Sequence, residues 1–288
     1  DRRCLRGPLK CLAINRGLTD PIRCSGCDQM TKLTIKDEGD VRRMRLNNPE
    51  RHNAFDDGLV TDLHNAFRDV GKDDAIRAVV LASEGPSFCA GADLAWKRRM
   101  AEASRDENIA DAQGLSAMLL AVRDCPKPVI ARVQGAAYGG GVGLVAACDL
   151  AYALPSARFA LTEVRLGLIP AVIAPFLLGK MGPGAVRTLG ITGASIDAAR
   201  ASDLGLVHSV VDEDGLDLAI NATIDRIRRA APGAIAAWKA LLQQLPGHSD
   251  PATLTAEAIA DRRASAEGVA GMQAFFERTP PPWSPPRD

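Results

Sequence analysis

Aromatic residues are scarce in this chain: Phe, Tyr and Trp together make up 4% of 288 positions. With 47% hydrophobic residues, a sizeable core must rest on Ala, Val, Leu and Ile instead. An excess of either charge is also missing, since 35 Lys and Arg balance 35 Asp and Glu. That balance gives no basic footprint for nucleic acid and no acidic one for a cationic partner. No apolar run approaches the roughly 20 residues that span a bilayer. His52, His64, His208 and His248 are dispersed, and no pair has metal-ligand spacing, so no metal is expected. No internal repeat at a period of about 20–50 residues is seen.

Cysteine is unevenly placed. Cys4, Cys11, Cys24 and Cys27 lie in the first 29 residues, whereas Cys89, Cys125 and Cys148 sit in apolar contexts further on. The body reads as reduced and intracellular, and a cytoplasmic location is expected. Cys24 and Cys27 form a CxxC, but its spacing to Cys4 and Cys11 fits no zinc pattern. The segment 1–29 has no apolar stretch suited to a signal peptide. Its five arginines weakly resemble a transit peptide, against which stand Asp20, Asp28 and little serine. The plainest reading is a leader that is non-native or loosely attached, with the folded protein starting at Met30.

From Thr31 onward strand and helix signals alternate. Leu33 to Lys36 and Val41 to Leu46 flank Glu38-Gly39-Asp40 and predict a hairpin. Asp57 to Val70 has apolar residues at Leu59, Val60, Leu63, Ala66, Phe67 and Val70, which is helical spacing. Strands are expected at Ala75–Ala82, Pro128–Val133, Leu150–Ala153, Arg158–Ala160 and Leu206–Val211. Helices are expected from Ala92, and over Glu107–Arg123, Gly184–Ile191, Asp197–Gly205 and Gly215–Ala231. Another should start at Pro232, and Thr253–Ala266 and Val269–Phe276 should follow. The pattern is an α/β core over 30–231 and a helical region over 232–288.

Two glycine-bearing stretches stand out. Pro128 to Val133 leads into Gly135, Gly139, Gly140, Gly141 and Gly143 and then an apolar run, which reads as strand, turn and helix start. Such a helix start presents free N–H groups and a positive dipole end to an anion, or to an oxygen that becomes one during a reaction. Close strand-to-helix packing would demand the same small residues. The second stretch, GPSFCAGADL (Gly85–Leu94), follows the strand-like Ala78–Ala82.

FCAGADL and GAAYGGGVGLVAACDL, with NNPERHNAF (Asn47–Phe55) before them and GMQAFFERTPPPW (Gly271–Trp283) after, resemble the enoyl-CoA hydratase/isomerase, or crotonase, family. The resemblance runs from about Met30 to Trp283. It implies a spiral of β-β-α units with a C-terminal helical region that builds trimers, often paired into hexamers. It also implies an acyl-CoA thioester as substrate and no separate cofactor, coenzyme A being part of the substrate. GGGVG itself is neither a Rossmann nor a P-loop pattern.

By the same resemblance, the backbone N–H groups of Ala90 and Gly140 are expected to converge on the thioester oxygen. Ala92, Asp93 and Leu94 are expected to flank the adenine, with Arg51 and Arg278 as phosphate candidates or plain surface charges. Family hydratases carry two glutamates. One matches Glu163; Gly143 stands where the other would be. Glu163 is the expected proton carrier, and an ion pair with Arg165 or Arg187 is the alternative reading of it. The pattern is similar to bacterial methylglutaconyl-CoA hydratases, whose substrates bear a second carboxylate, for which Arg165, Arg98 and Lys97 are cation candidates. Hydration, isomerisation by Glu163 alone, and acyl-CoA binding without catalysis all remain open. Cys89 and Asp149 are read as structural.

Overall fold

A computed structural model describes residues 31–284; the expectations for the leader lie outside them. The first strands are β1 (Leu33–Glu38) and β2 (Val41–Leu46), the expected hairpin, paired antiparallel with Leu33 opposite Leu46. Helix α1 (Asp57–Gly71) buries the same six apolar residues that its spacing marks, and the Asp56 side chain caps it by accepting from the Leu59 N–H at 2.9 Å. Then come β3 (Ala78–Ser83), β4 (Ser87–Cys89), α2 (Leu94–Glu102) and α3 (Arg105–Arg123). The middle of the chain gives β5 (Val129–Val133), β6 (Ala136–Tyr138), α4 (Gly140–Ala147), β7 (Leu150–Ala153) and β8 (Arg158–Ala160). Next are a 3₁₀ turn at Glu163–Leu166, α5 (Ala174–Thr192), β9 (Ser195–Asp197), α6 (Ala198–Asp203) and β10 (Ser209–Val210). Four helices end the described chain: α7 (Glu213–Arg228), α8 (Pro232–Gln244), α9 (Pro251–Ala264) and α10 (Ala266–Glu277).

The strands divide into two sheets in a regular way. One has the order β1-β2-β3-β5-β7-β10 and the other β4-β6-β8-β9. Three successive strand pairs, β3 with β4, β5 with β6 and β7 with β8, each give their first strand to the larger sheet and their second to the smaller. Each new pair adds parallel to the one before. The chain therefore advances as a spiral of β-β-α steps. Its central strand β3 is buried at every residue, as a parallel strand covered on both faces must be.

Several boundaries differ from those expected. The strand of the last parallel pair is only Ser209–Val210, because the Leu206 and Val207 N–H groups bond back to the Ala201 carbonyl and close the turn after α6. The apolar run Ala171–Met181 and the helix expected from Gly184 merge in α5 across a break at Gly182, followed by Pro183. The helix expected from Ala92 starts two residues later, behind an Asp93 cap. Between β5 and the glycine run lies one more strand, β6, too short for alternation to reveal.

Two polar side chains hold elements around the glycine turns. Asp149 accepts from the Val129 N–H at 2.7 Å and from Lys239 Nζ at 2.5 Å, tying β5 and α8 together. Asn53 is fully buried with a left-handed backbone, φ 54°. Its Nδ2 donates to the carbonyls of Glu84 (2.8 Å) and Ser87 (2.9 Å), and its Oδ1 accepts from the Asn48 N–H at 2.9 Å. The loop 48–55 is thereby pinned beside β4. We predict that Asn53→Ala, which strands those buried groups, lowers stability by about 2–4 kcal/mol in urea unfolding; a loss below about 0.5 kcal/mol contradicts the clamp.

Candidate active site

Two turns meet at the site. The first is Ala90–Asp93, after β4. Residues 52–55 run alongside it: the Ala90 N–H donates to the His52 carbonyl (3.0 Å), the Phe55 N–H to the Gly91 carbonyl (2.7 Å) and the Asp93 N–H to the Phe55 carbonyl (2.8 Å). The second is Gly139, whose φ of 51° leads into α4. A Cβ built on Gly91 would lie 2.8 Å from the Tyr138 carbonyl oxygen and 3.5 Å from the Gly140 nitrogen. A Cβ on Gly141 would overlap the Cys89 carbonyl oxygen. The two backbones touch because glycine stands at these places.

This arrangement changes one expectation. The Ala90 N–H is already used by His52 and is not a free donor. Phe55 pairs with Ala92 in a parallel bridge in which Gly91 and Asp93 make both hydrogen bonds. Ala92, between them, turns its own N–H to the opposite side. Among the described residues neither the Ala92 N–H nor the Gly140 N–H has a hydrogen-bond partner. Gly140 is the first residue of α4, so its N–H is one of the helix's unpaired donors. The pair of free donors is therefore Ala92 and Gly140. The sequence names Ala92 but cannot tell which N–H of the turn is left over, since that depends on the Phe55 pairing.

Glu163 lies against the second turn. A Cβ built on Gly139 would be 2.8 Å from Glu163 Oε1, so this glycine is required both by its backbone and by its neighbour. Glu163 Oε2 is buried without a hydrogen-bond partner. Burial raises the Glu163 carboxyl above its ordinary value, and the positive charge of Lys97 opposes this. The ion pair weighed for Glu163 does not form: Arg165 and Arg187 are exposed, and Glu163 is in no salt bridge among the described residues. Arg165 instead packs beside Gly193, at the end of α5.

The other expected residues fall as follows. Asp93 caps α2, accepting from the Ala95 N–H at 2.7 Å, and pairs with Arg51 at 3.3 Å. Leu94 is exposed beside it, and Arg278 ends α10 at the surface. Arg98 is exposed; Lys97 is half-buried. Gly143 does not open onto free space: a Cβ there would overlap Ile173 Cγ2 and stand 2.7 Å from Ile173 Cβ. Cys89 is fully buried and its thiol is pushed up to about 12 by burial, which excludes a ready nucleophile. No group of three or more metal-ligating side chains occurs among the described residues.

Comparison with known proteins agrees with this geometry. The family model for enoyl-CoA hydratase/isomerase matches residues 36–286. The chain belongs to that family. Among solved structures it is similar to an enoyl-CoA hydratase from Shewanella pealeana, with 36% identity, a TM-score of 0.85, and coverage of 88% of this chain and 97% of that one. It is also similar to Pseudomonas aeruginosa AtuE, with 33% identity, a TM-score of 0.84, and coverage of 88% and 100%. Enoyl-CoA hydratase domain-containing protein 3 of Xenopus laevis is 30% identical over 97% of this chain and 95% of its own.

Raised by burial, the Glu163 carboxyl favours the folded state when protonated, so its ionisation costs stability. The cost is absent below the ordinary carboxylate value of 4.5 and complete above the raised one. We predict that Glu163→Gln melts higher than wild type at neutral pH and that the difference shrinks as pH falls through that window. A difference independent of pH contradicts the desolvated carboxyl.

Proposed function

We propose that this protein is an enoyl-CoA hydratase acting on a branched or carboxylated acyl group, of the methylglutaconyl-CoA kind. The observation that carries the reading is Glu163, a half-buried side chain whose Oε2 is buried and unpartnered at the turn that bears the free Gly140 N–H. In this reading the thioester oxygen accepts from the Ala92 and Gly140 N–H groups. Fixed donors of this kind stabilise developing negative charge, and losing one typically costs about 3–4 kcal/mol of barrier. Coenzyme A enters with the substrate, and no other cofactor is needed.

The step balances with one carboxylate. Glu163 accepts a proton from water as the water oxygen bonds to C3 of the enoyl group. The C2=C3 electrons move to the thioester oxygen. The enolate then collapses, and the same carboxyl returns the proton to C2 on the same face. Lys97, half-buried in the first turns of α2 and close enough to act on Glu163, is the best-placed cation for a second substrate carboxylate. Arg165 points elsewhere.

Isomerisation is the second reading, favoured by the lone carboxylate: Ile173 fills the space beside Gly143 where a second would stand. There Glu163 removes a proton from one carbon and returns it to another. The proposed assembly is a trimer or a pair of trimers, because Ile259, Val269, Met272 and Phe275 leave α9 and α10 with apolar side chains in solvent. Light scattering that finds only a monomer contradicts it.

Turnover of an enoyl-CoA panel in ¹⁸O-labelled water, read by mass spectrometry, separates the readings. Hydration adds one labelled water, isomerisation adds none, and binding without turnover leaves every thioester unchanged. We predict labelled hydration by wild type, and for Glu163→Gln a loss of about 10²-fold or more in kcat with acyl-CoA binding nearly intact. Wild-type rates in Glu163→Gln would assign the proton chemistry to another residue.

A further inference from the structure

Gly143 lies one helical turn beyond the catalytic turn: its N–H donates to the Gly139 carbonyl at 3.2 Å. What covers it comes from two other elements. Ile173, at the entry to α5, presses Cγ2 and Cβ onto the Gly143 backbone, and Leu119 of α3 stands 3.7 Å from the Cβ position. Both are buried, Ile173 to 3% exposure. Ile173 is also held in place, because its carbonyl accepts from the Phe176 and Leu177 N–H groups, each at 3.1 Å. The same stretch of chain carries Glu163 ten residues earlier, and the Glu163 carbonyl accepts from the Leu168 N–H at 3.0 Å. One segment thus positions both the proton carrier and the apolar side chain that closes the next turn of α4.

We infer that Ile173 is a specificity-determining residue: seated on Gly143, it forms the inner wall of the acyl compartment and shuts a second carboxylate out of it. The inference rests on the acyl-CoA reading above and deepens it. It follows that positions 143 and 173 are sterically coupled. No side chain at 143 is compatible with Ile173, and even an alanine at 173 leaves a Cβ in the way. The wall is branched and apolar, so it complements hydrocarbon bulk on the acyl group rather than a charged end, which must lie toward Lys97. Shortening Ile173 should let longer or more branched acyl groups in.

The test uses the full chain and a series of enoyl-CoA thioesters that grow by one methylene at a time. The ratio of kcat/KM for the longer member to that for the shorter is compared in wild type, Ile173→Val and Ile173→Ala. Room for one methylene in an apolar pocket is commonly worth about 10-fold or more. The expected result is a ratio that rises by roughly that factor in Ile173→Ala and in the same direction, by less, in Ile173→Val. Should the alanine variant fail to fold, the valine variant decides. Ratios unchanged in a folded, active variant overturn the wall. Absence of turnover by wild type on every thioester overturns the parent reading and this one with it. A double-mutant cycle checks the coupling: Gly143→Ala should lower Tm less in an Ile173→Gly background than in wild type, and additive shifts refute the pairing.

Discussion

The backbone at the start of α4 comes into close contact with the end of β4, and the geometry of the candidate site depends on that approach. Gly141 sits where any side chain would strike the Cys89 carbonyl, and Gly91 sits where one would strike the Tyr138 carbonyl. Only with both as glycine do the two turns come this near to each other. The parallel pairing of β4 with β6, the strand that runs into Gly139, sets the approach. Asn53, pinning the loop 48–55 to β4, and the buried apolar length of α4, packing on α3 and α5, hold it from outside. In the proposed reaction, donors fixed this way need no reorganisation when charge develops.

The same packing sets the state of the one carboxylate at these turns. Glu163 is pressed into the space beside Gly139 without a hydrogen-bonded or ionic partner for Oε2, which raises its proton affinity. A backbone hydrogen bond and the charge of Lys97 keep that rise in check. A carboxyl whose proton affinity is raised is better able to return a proton it has taken. Had Arg165 or Arg187 formed the ion pair that their place in the sequence allows, Glu163 would be a fixed anion of little use as an acid.

Much of the fold was legible because it is carried by long periodic elements. The apolar positions of α1 match its buried face residue for residue, and the β1–β2 hairpin and the central parallel strands fell where their runs lie. The three-residue strands β4, β6 and β9 were not legible, since they lie among glycine turns and loop residues, with no apolar run of their own as β8 has. The spiral and the family came from motifs, not from alternation. At the site, Glu163 stood out as an acid in apolar company. The donor assignment missed by two residues, because which amide is spare is decided by the pairing of Phe55 with Ala92 across the chain. The role of Ile173 was hidden for the same reason: nothing near position 173 says that it faces Gly143.

The central claim is that Glu163 moves a proton next to a thioester whose oxygen is held by the two turns. Hydrogen exchange at C2 of a saturated acyl-CoA in deuterium oxide tests it most directly, because it needs enolate formation but neither hydration nor isomerisation. The account predicts that wild type washes deuterium into C2 and that Glu163→Gln binds the same acyl-CoA without exchange. Exchange at the wild-type rate in Glu163→Gln, or none in wild type with the thioester bound, would contradict it.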